Sequence, residues 1–120
     1  MARIVIVDDS VADLKMMTSI LEAGHHSVTA LNNPQEAAER ITAQQPQLVM
    51  LDVVMPVKNG YDVLRQLKRN PATQGIPVIL VSSKGTETDV RWGLRQGASA
   101  YVTKPYTAED VLTTIAQVTG

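Results

Sequence analysis

Three aspartates stand where apolar runs end, which is an unusual place for negative charge. Asp8 and Asp9 follow the run "RIVIV", and Asp52 follows the run "LVML". If these runs are neighbouring parallel strands, their carboxyl ends meet at one edge of a sheet, where ligands bind in such folds. Like charges this close raise at least one carboxyl pKa unless a cation neutralises them. An oxygen-only ligand set suits a hard cation, so we expect a Mg²⁺ site.

Two further polar residues follow apolar runs of the same kind. Ser82 comes after "VILV", and Lys104 comes after "AYVT". Taken singly, Ser82 could be a turn residue and Lys104 an ordinary surface charge. Together, a hydroxyl and an ammonium that face metal-bound carboxylates make a site for a tetrahedral anion. The combination favours phosphoryl chemistry with Asp52, the central carboxylate, as the nucleophile.

The elements that must position these residues alternate along the chain. The apolar runs without polar alternation read as strands covered on both faces, and the segments between them have helical spacing. The predicted strands are Arg3–Val7, Ser27–Leu31, 48–51, 78–81 and Ala100–Thr103, and helices are predicted after the caps Ser10, Asn33 and Thr107 and over 61–69 and 86–96. This alternation indicates a doubly wound α/β domain with a five-stranded parallel sheet.

Composition narrows the class of protein. The chain has 120 residues, 44% hydrophobic and 19% charged, which is typical of one globular domain and which we assign to residues 1–120. A net charge of −1 leaves no basic footprint for nucleic acid. Without cysteine there is no disulfide framework, and no apolar run reaches the roughly 20 residues of a membrane span. We therefore expect a cytoplasmic protein with no membrane insertion.

Four motifs in order give the whole chain a family resemblance. They are "VDDS" at 7–10, "LDVVMPVKNG" at 51–60, "PVILVSS" at 77–83 and "GASAYVTKP" at 97–105. The chain resembles the receiver domain of two-component response regulators of the single-domain chemotaxis type. This resemblance implies a flavodoxin-like (βα)5 fold with strand order 2-1-3-4-5. Within the family, the chain is most similar to regulators of type IV pilus, twitching-motility or phototaxis chemosensory systems.

The resemblance also implies a metal set and a phosphoacceptor. Asp52 would accept a phosphoryl group from the phosphohistidine of a sensor histidine kinase. Asp9 would bind Mg²⁺ directly and Asp8 largely through metal-bound water. The main-chain carbonyl of Val54 would be the third protein ligand, which leaves its side chain free to vary.

The remaining implied roles concern the response to phosphorylation. Lys104 would contact the phosphoryl group, and the Lys104–Pro105 bond is often cis in this family. Ser82 would be the hydroxyl that moves toward the phosphoryl group, and Tyr101 the aromatic whose rotamer follows it. A half-buried amphipathic residue at a strand end is the simpler interpretation of Tyr101.

Trp92 is a candidate for a partner surface beside Tyr101. On the predicted fourth helix, Val90, Gly93, Leu94 and Gly97 share one face, and Trp92 points away from it, so we expect it to be exposed. Gly93 would either permit close packing on the sheet or let this helix adjust on activation. An exposed Trp indicates a binding hot spot, or else it stacks flat on the neighbouring arginines of its own helix.

Smaller features complete the expectations. We expect Met17 and Met50 to fill the core and Met16 to lie off the core stripe. We expect His25 and His26 to be solvated turn residues.

These observations favour a phosphorylation-controlled binding module over an enzyme. It would catalyse only its own phosphoryl transfer and dephosphorylation, and switch a surface formed by the fourth helix, the fifth strand and the fifth helix. The target would be a protein, with the motility machinery as the candidate. One alternative is a phosphate sink for its kinase without a target. Another is a small-molecule aspartyl-phosphate phosphatase, which would require a second Asp where Val54 stands.

Overall fold

A parallel sheet forms the centre of the molecule. The computed structural model describes residues 2–55 and 58–119, so Pro56 and Val57 of the second motif lie outside the described residues. The strand order β2-β1-β3-β4-β5 confirms the predicted topology. The strands are β1 (Arg3–Val7), β2 (Ser27–Leu31), β3 (Leu48–Asp52), β4 (Val78–Ser82) and β5 (Ala100–Thr103).

The two central strands are buried along their whole length, which explains why their sequences show no polar alternation. Both strands extend one residue beyond the prediction. Asp52 and Ser82 are the last residues of β3 and β4, and do not follow them as the apolar runs suggested. Each continues the pairing ladder, with Asp52 opposite Val81 and Ser82 opposite Thr103. The sheet itself therefore fixes the backbone of both polar residues.

Five helices cover the two faces of the sheet. Side chains of α1 and α5 pack on one face with Ile6 and Met50, whereas α2 and α3 pack on the other with Val5 and Leu51. The helices are α1 (Val11–Ala23), α2 (Pro34–Gln44), α3 (Gly60–Arg69), α4 (Glu87–Arg95) and α5 (Ala108–Thr119).

The predicted helix caps are confirmed. The side chains of the three predicted cap residues, Ser10, Asn33 and Thr107, each accept a hydrogen bond from a backbone N–H in the first turn of their helix, and Thr86 does the same at α4. At α4 the Thr86 cap is reinforced by the Asp89 side chain, which completes a capping box. These bonds satisfy N–H groups that have no partner inside the helix.

The predicted apolar stripe of α4 is wrong in part. Leu94 is 44% exposed and Val90 is only half-buried, while Gly93 alone is buried over the fully described length of α4. A Cβ on Gly93 would lie 2.9 Å from both Leu80 Cδ1 and Tyr101 Cδ2. The helix thus approaches the sheet closest at a residue without a side chain, and this approach leaves Leu94 to one side.

Gly60 is the first residue of α3, and it packs closely on the last residue of β3. A Cβ at this position would lie 2.3 Å from the carbonyl oxygen of Asp52, closer than any side chain permits. The Gly60 N–H also donates a hydrogen bond to the Val53 carbonyl at 2.9 Å. The glycine of the "KNG" motif therefore lets α3 begin directly against the backbone of Asp52.

Several smaller expectations are also resolved. Met17 and Met50 are buried, and Met16 is half exposed, as the helical spacing predicted. His26 is not simply solvated: it is half-buried, and its Nδ1 accepts a hydrogen bond from the Ala2 N–H at 3.0 Å. The bond forms because the turn after α1 folds back onto the start of β1. Within residues 2–55 and 58–119, no helix combines the length and apolarity needed to cross a membrane.

Candidate metal and phosphoryl site

The three predicted carboxylates meet at the carboxyl edge of the sheet. Because β1 pairs directly with β3, Asp8 and Asp9 emerge beside Asp52. One carboxylate oxygen from each of the three residues lies within 4.8 Å of the other two. Asp52 is buried, Asp8 nearly so, and Asp9 is exposed, so the cluster opens to solvent on the Asp9 side. The donors are all hard carboxylate oxygens, which fits Mg²⁺.

The electrostatics of the cluster also favour a cation. Burial raises the pKa of Asp52 to about 6, with the Lys104 hydrogen bond opposing this rise and the Asp8 charge adding to it. Burial likewise raises the pKa of Asp8, against the hydrogen bond that Asp8 accepts from the Ser10 N–H. Both carboxylates are thus ionised at some cost in free energy, which a bound divalent cation would relieve.

Lys104 brings a positive charge to the same edge. Its ammonium nitrogen lies 3.0 Å from Asp52 Oδ1 and 3.3 Å from Asp8 Oδ2. The backbone of Lys104 is fixed by a hydrogen bond that its N–H donates to the Ser82 carbonyl at 2.8 Å. The Lys104–Pro105 peptide bond is cis, as the resemblance implied. The ammonium therefore reaches the predicted nucleophile, as the sequence analysis expected.

Asp13 is a member of this constellation that the sequence analysis missed. Its Oδ2 lies 3.0 Å from the Lys104 ammonium nitrogen. Although burial opposes the rise, the hydrogen bonds that Lys104 donates to Asp13 and Asp52 raise the pKa of Lys104, so the side chain stays charged. The available signal was position: Asp13 is the third residue after the Ser10 cap, in the helix turn that begins at the sheet edge.

The predicted switch residues lie on the other side of Asp52. The Ser82 side chain is buried, and its Oγ accepts a hydrogen bond from the Lys84 N–H at 3.0 Å. The Tyr101 hydroxyl donates a hydrogen bond to the Lys84 carbonyl at 2.6 Å. These two hydrogen bonds do not join Ser82 to Tyr101 directly, but each joins one of the two side chains to the backbone of Lys84.

Trp92 is exposed, as predicted, with 48% of its surface accessible. It lines an open groove of about 510 Å³ together with Tyr101, Lys84 and Val54. Val54 follows β3, and its side chain points outward, with an exposed fraction of 54%. The groove thus runs from the loop beside Asp52 to the first turns of α4.

Comparison with known sequences agrees with this architecture. The sequence profile of the response regulator receiver domain matches residues 4–116. Protein PilH of Pseudomonas aeruginosa is 44% identical over 115 residues, which cover 96% of this chain and 95% of PilH. The phosphate regulon transcriptional regulatory protein PhoB of the same organism is 34% identical over 91% of this chain, but that match spans 48% of PhoB.

Solved structures share the fold over nearly the whole chain. Chemotaxis protein CheY4 of Vibrio cholerae superimposes with a TM-score of 0.91 and 23% identity, and the match covers 98% of both chains. A complex of CheX, CheY, BeF₃ and Mg²⁺ from Borrelia burgdorferi contains a chain that matches with a TM-score of 0.90 and 27% identity, over 97% of this chain and 87% of that one. With its sheet order, its site geometry and the profile match in agreement, the chain belongs to the response regulator receiver domain family.

Proposed function

We propose that this chain is a cytoplasmic signalling module that accepts a phosphoryl group from a sensor histidine kinase on Asp52. The observation that carries the proposal is the surroundings of Asp52. Its carboxylate lies 3.0 Å from the Lys104 ammonium and within 4.8 Å of oxygens from Asp8 and Asp9. A nucleophile, an anion-binding ammonium and a divalent-cation site thus meet at one point.

Receiver domains generally bind Mg²⁺ at an acidic pocket, and the carboxylates of Asp8, Asp9 and Asp52 form such a pocket here. The main-chain carbonyl of Val54 would complete the protein ligands. The ion would supply positive charge that offsets the carboxylates and the incoming phosphoryl oxygens. A solved relative in complex with BeF₃ and Mg²⁺ supports this assignment.

In the transfer step, an Asp52 oxygen forms a bond to phosphorus as the phosphorus–nitrogen bond of the donor breaks. The electron pair of that bond returns to the imidazole nitrogen of the kinase. The Lys104 ammonium donates a hydrogen bond to a phosphoryl oxygen and offsets part of the added negative charge. The chain catalyses its own phosphoryl transfer and dephosphorylation, and no reaction on a separate substrate.

The response would pass through Lys84. In this proposal, Ser82 turns its hydroxyl toward the phosphoryl group and releases the Lys84 N–H. Because the Lys84 carbonyl also holds the Tyr101 hydroxyl, a shift of this backbone repositions Tyr101. Tyr101 packs on Gly93 of α4, so the change reaches the Trp92 surface and the helix 4, strand 5 and helix 5 face that would bind a protein target.

The similarity to PilH and the resemblance to pilus and twitching-motility regulators support a role in motility or taxis. We place the chain in that setting as part of the proposal. The target is then a protein of a motility system or of the chemosensory complex that controls it.

The decisive experiment is phosphorylation by a small donor. Wild-type protein incubated with acetyl phosphate and Mg²⁺ should become phosphorylated, as measured by intact mass, and excess chelator should prevent it. Asp52→Asn should remain unmodified because the attacking oxygen is lost.

A charge-matched control is Glu39→Gln, which removes one exposed carboxylate on α2 and should be phosphorylated normally. Trp92→Ala should also be phosphorylated normally, which separates the site from the surface. Equal modification of wild type and Asp52→Asn would remove Asp52 from the assigned role.

A further inference from the structure

The Lys104 ammonium is shared among three carboxylates. Its nitrogen lies 3.0 Å from Asp52 Oδ1, 3.0 Å from Asp13 Oδ2 and 3.3 Å from Asp8 Oδ2. A lysine ammonium has three protons and no acceptor, so it can offer at most one proton to each of these three carboxylates. The distribution of the ammonium among these partners therefore decides how strongly it pairs with each of them.

The three partners are not equivalent. Asp8 and Asp52 belong to the carboxylate cluster that would hold a divalent cation, whereas Asp13 lies outside that cluster. A cation bound by Asp8 and Asp52 competes with Lys104 for the negative charge of these two carboxylates. It does not compete for Asp13, which leaves that carboxylate available to the ammonium at every stage.

The local structure fixes Asp13 in this position. Its backbone N–H donates to Ser10 Oγ at 3.2 Å, and it occupies the first turn of α1, where a negatively charged side chain interacts favourably with the helix dipole. The Ser10 N–H also donates to Asp8 Oδ1 at 2.9 Å. One capping residue thus sets the spacing between Asp13 and the metal cluster.

The surroundings make these ion pairs effective. A cavity of about 20 Å³ is lined by the charged groups of Asp8, Asp13, Asp52 and Lys104, and apolar side chains including Leu14 and Met17 complete its wall. The Lys104 side chain is 22% exposed and that of Asp13 is 38% exposed. Ion pairs that are partly enclosed by apolar groups are stronger and less screened by salt than pairs on an open surface.

We propose that Asp13 is a positioning residue that shares the Lys104 ammonium with Asp52 and Asp8, weakens its pairing with those two carboxylates, and thereby strengthens divalent-cation binding at the phosphoryl site. The inference rests on the proposed function, because it concerns the cation site of that function. Without Asp13, the ammonium has a free donor and only two carboxylate partners. It then pairs more fully with Asp52 and Asp8, and these carboxylates are less available to the cation.

The test measures Mg²⁺ affinity in the absence of any phosphoryl donor. Calorimetric titration of the full chain at fixed ionic strength should show binding to Asp13→Asn that is about three- to tenfold weaker than to wild type. Asp13→Glu retains the charge and should bind close to the wild-type level. Glu22→Gln removes the same charge from the exposed far end of α1 and should leave affinity unchanged.

A double-mutant cycle separates positioning from simple loss of charge. Lys104→Met removes the competing ammonium, so Asp13→Asn added to that background should change the affinity less than about twofold. A direct Coulomb effect of Asp13 on the cation would instead persist without Lys104. An equal loss in both backgrounds would overturn the proposal.

Nuclear magnetic resonance of the lysine ammonium groups gives an independent readout. In metal-free wild type, three ion pairs should slow exchange of the Lys104 ammonium protons with water and make their signal observable. Asp13→Asn should weaken that signal, with the fold checked by circular dichroism.

The outcomes distinguish the two proposals. Unchanged Mg²⁺ affinity of Asp13→Asn, together with Asp52-dependent phosphorylation, would overturn the role of Asp13 and leave the proposed function standing. Absence of both Mg²⁺ binding and phosphorylation in wild type would overturn both.

Discussion

The two sides of Asp52 are built differently. On one side, α1 buries Leu14, Met17 and Leu21, and its first turn is joined through Asp13 to Lys104. On the other side, α4 buries Gly93 alone over its described length, and Trp92 and Leu94 are nearly half exposed. Lys104 and its carboxylate partners thus lie beside α1, which is well packed. The residues proposed to respond to phosphorylation lie beside α4, which buries few side chains.

The construction of α4 makes it easy to displace. It has 9 residues against the 13 of α1, and a glycine in its interior costs about 1 kcal/mol relative to alanine. Its capping box contributes a stabilisation of similar size. Because α4 buries a single residue over its described length, it should shift at a lower cost than α1 when the hydrogen bonds of Lys84, two residues before its cap, are exchanged.

The largest expected effect tests this difference with one substitution made twice. Leu21→Ala in α1 should lower the free energy of unfolding by about 3 kcal/mol, because Leu21 is fully buried. Leu94→Ala in α4 should lower it by less than about 1 kcal/mol, since Leu94 is 44% exposed. Urea unfolding measures both, and equal losses would mean that α4 is packed as firmly as α1.

A smaller effect is expected from the charges on the α1 side. The folded-state pKa of Asp52 is raised to about 6, so protonation favours the folded state. The stabilising contribution is therefore present at acidic pH and is lost as pH rises through about 6. In chelator, Asp52→Asn should be more stable than wild type by about 1–2 kcal/mol at pH 8, and the difference should shrink toward pH 5.

Denaturant unfolding across pH measures this difference, and Lys104 keeps Asp8 and Asp13 as partners in the variant. Excess Mg²⁺ should reverse the order by stabilising wild type more than Asp52→Asn. If the difference in free energy of unfolding between the two proteins did not depend on pH, ionisation of Asp52 would not destabilise the folded state.

The smallest expected effect concerns the α4 side. Tyr101→Phe removes the hydrogen bond to the Lys84 carbonyl and should cost about 0.5 kcal/mol, the low end for a partly exposed bond. Tyr61 lines the same groove, and its hydroxyl makes no hydrogen bond to any described residue, so Tyr61→Phe is a matched control with no expected cost. Amide exchange at 84–86 should accelerate in Tyr101→Phe only.

The sequence predicted the buried strands and the polar residues at their carboxyl ends. Apolar runs without alternation identified the buried strands, and the order of those strands brought Asp8, Asp9 and Asp52 together as predicted. The caps were equally readable, because capping is a local property of a few neighbouring residues.

What could not be predicted depends on distances between elements. Periodicity places Val90, Gly93 and Leu94 on one face and allows Gly93 to pack closely on the sheet, but it does not show that this approach leaves Leu94 exposed. The Asp13–Lys104 pair joins residues 91 positions apart, and only the folded chain shows that the first turn of α1 reaches β5's end. The contact of His26 with Ala2 is of the same kind.

Trp92 is the single tryptophan of the chain, and it lies in the groove that Tyr101 also lines. Intrinsic fluorescence excited at the red edge of protein absorption therefore comes from one known place on α4. Any shift of its emission maximum, or change in its quenching by iodide, reports the local environment of that helix without a dye or a label. Trp92 is thus an intrinsic fluorescent probe on the side of the molecule where movement is expected.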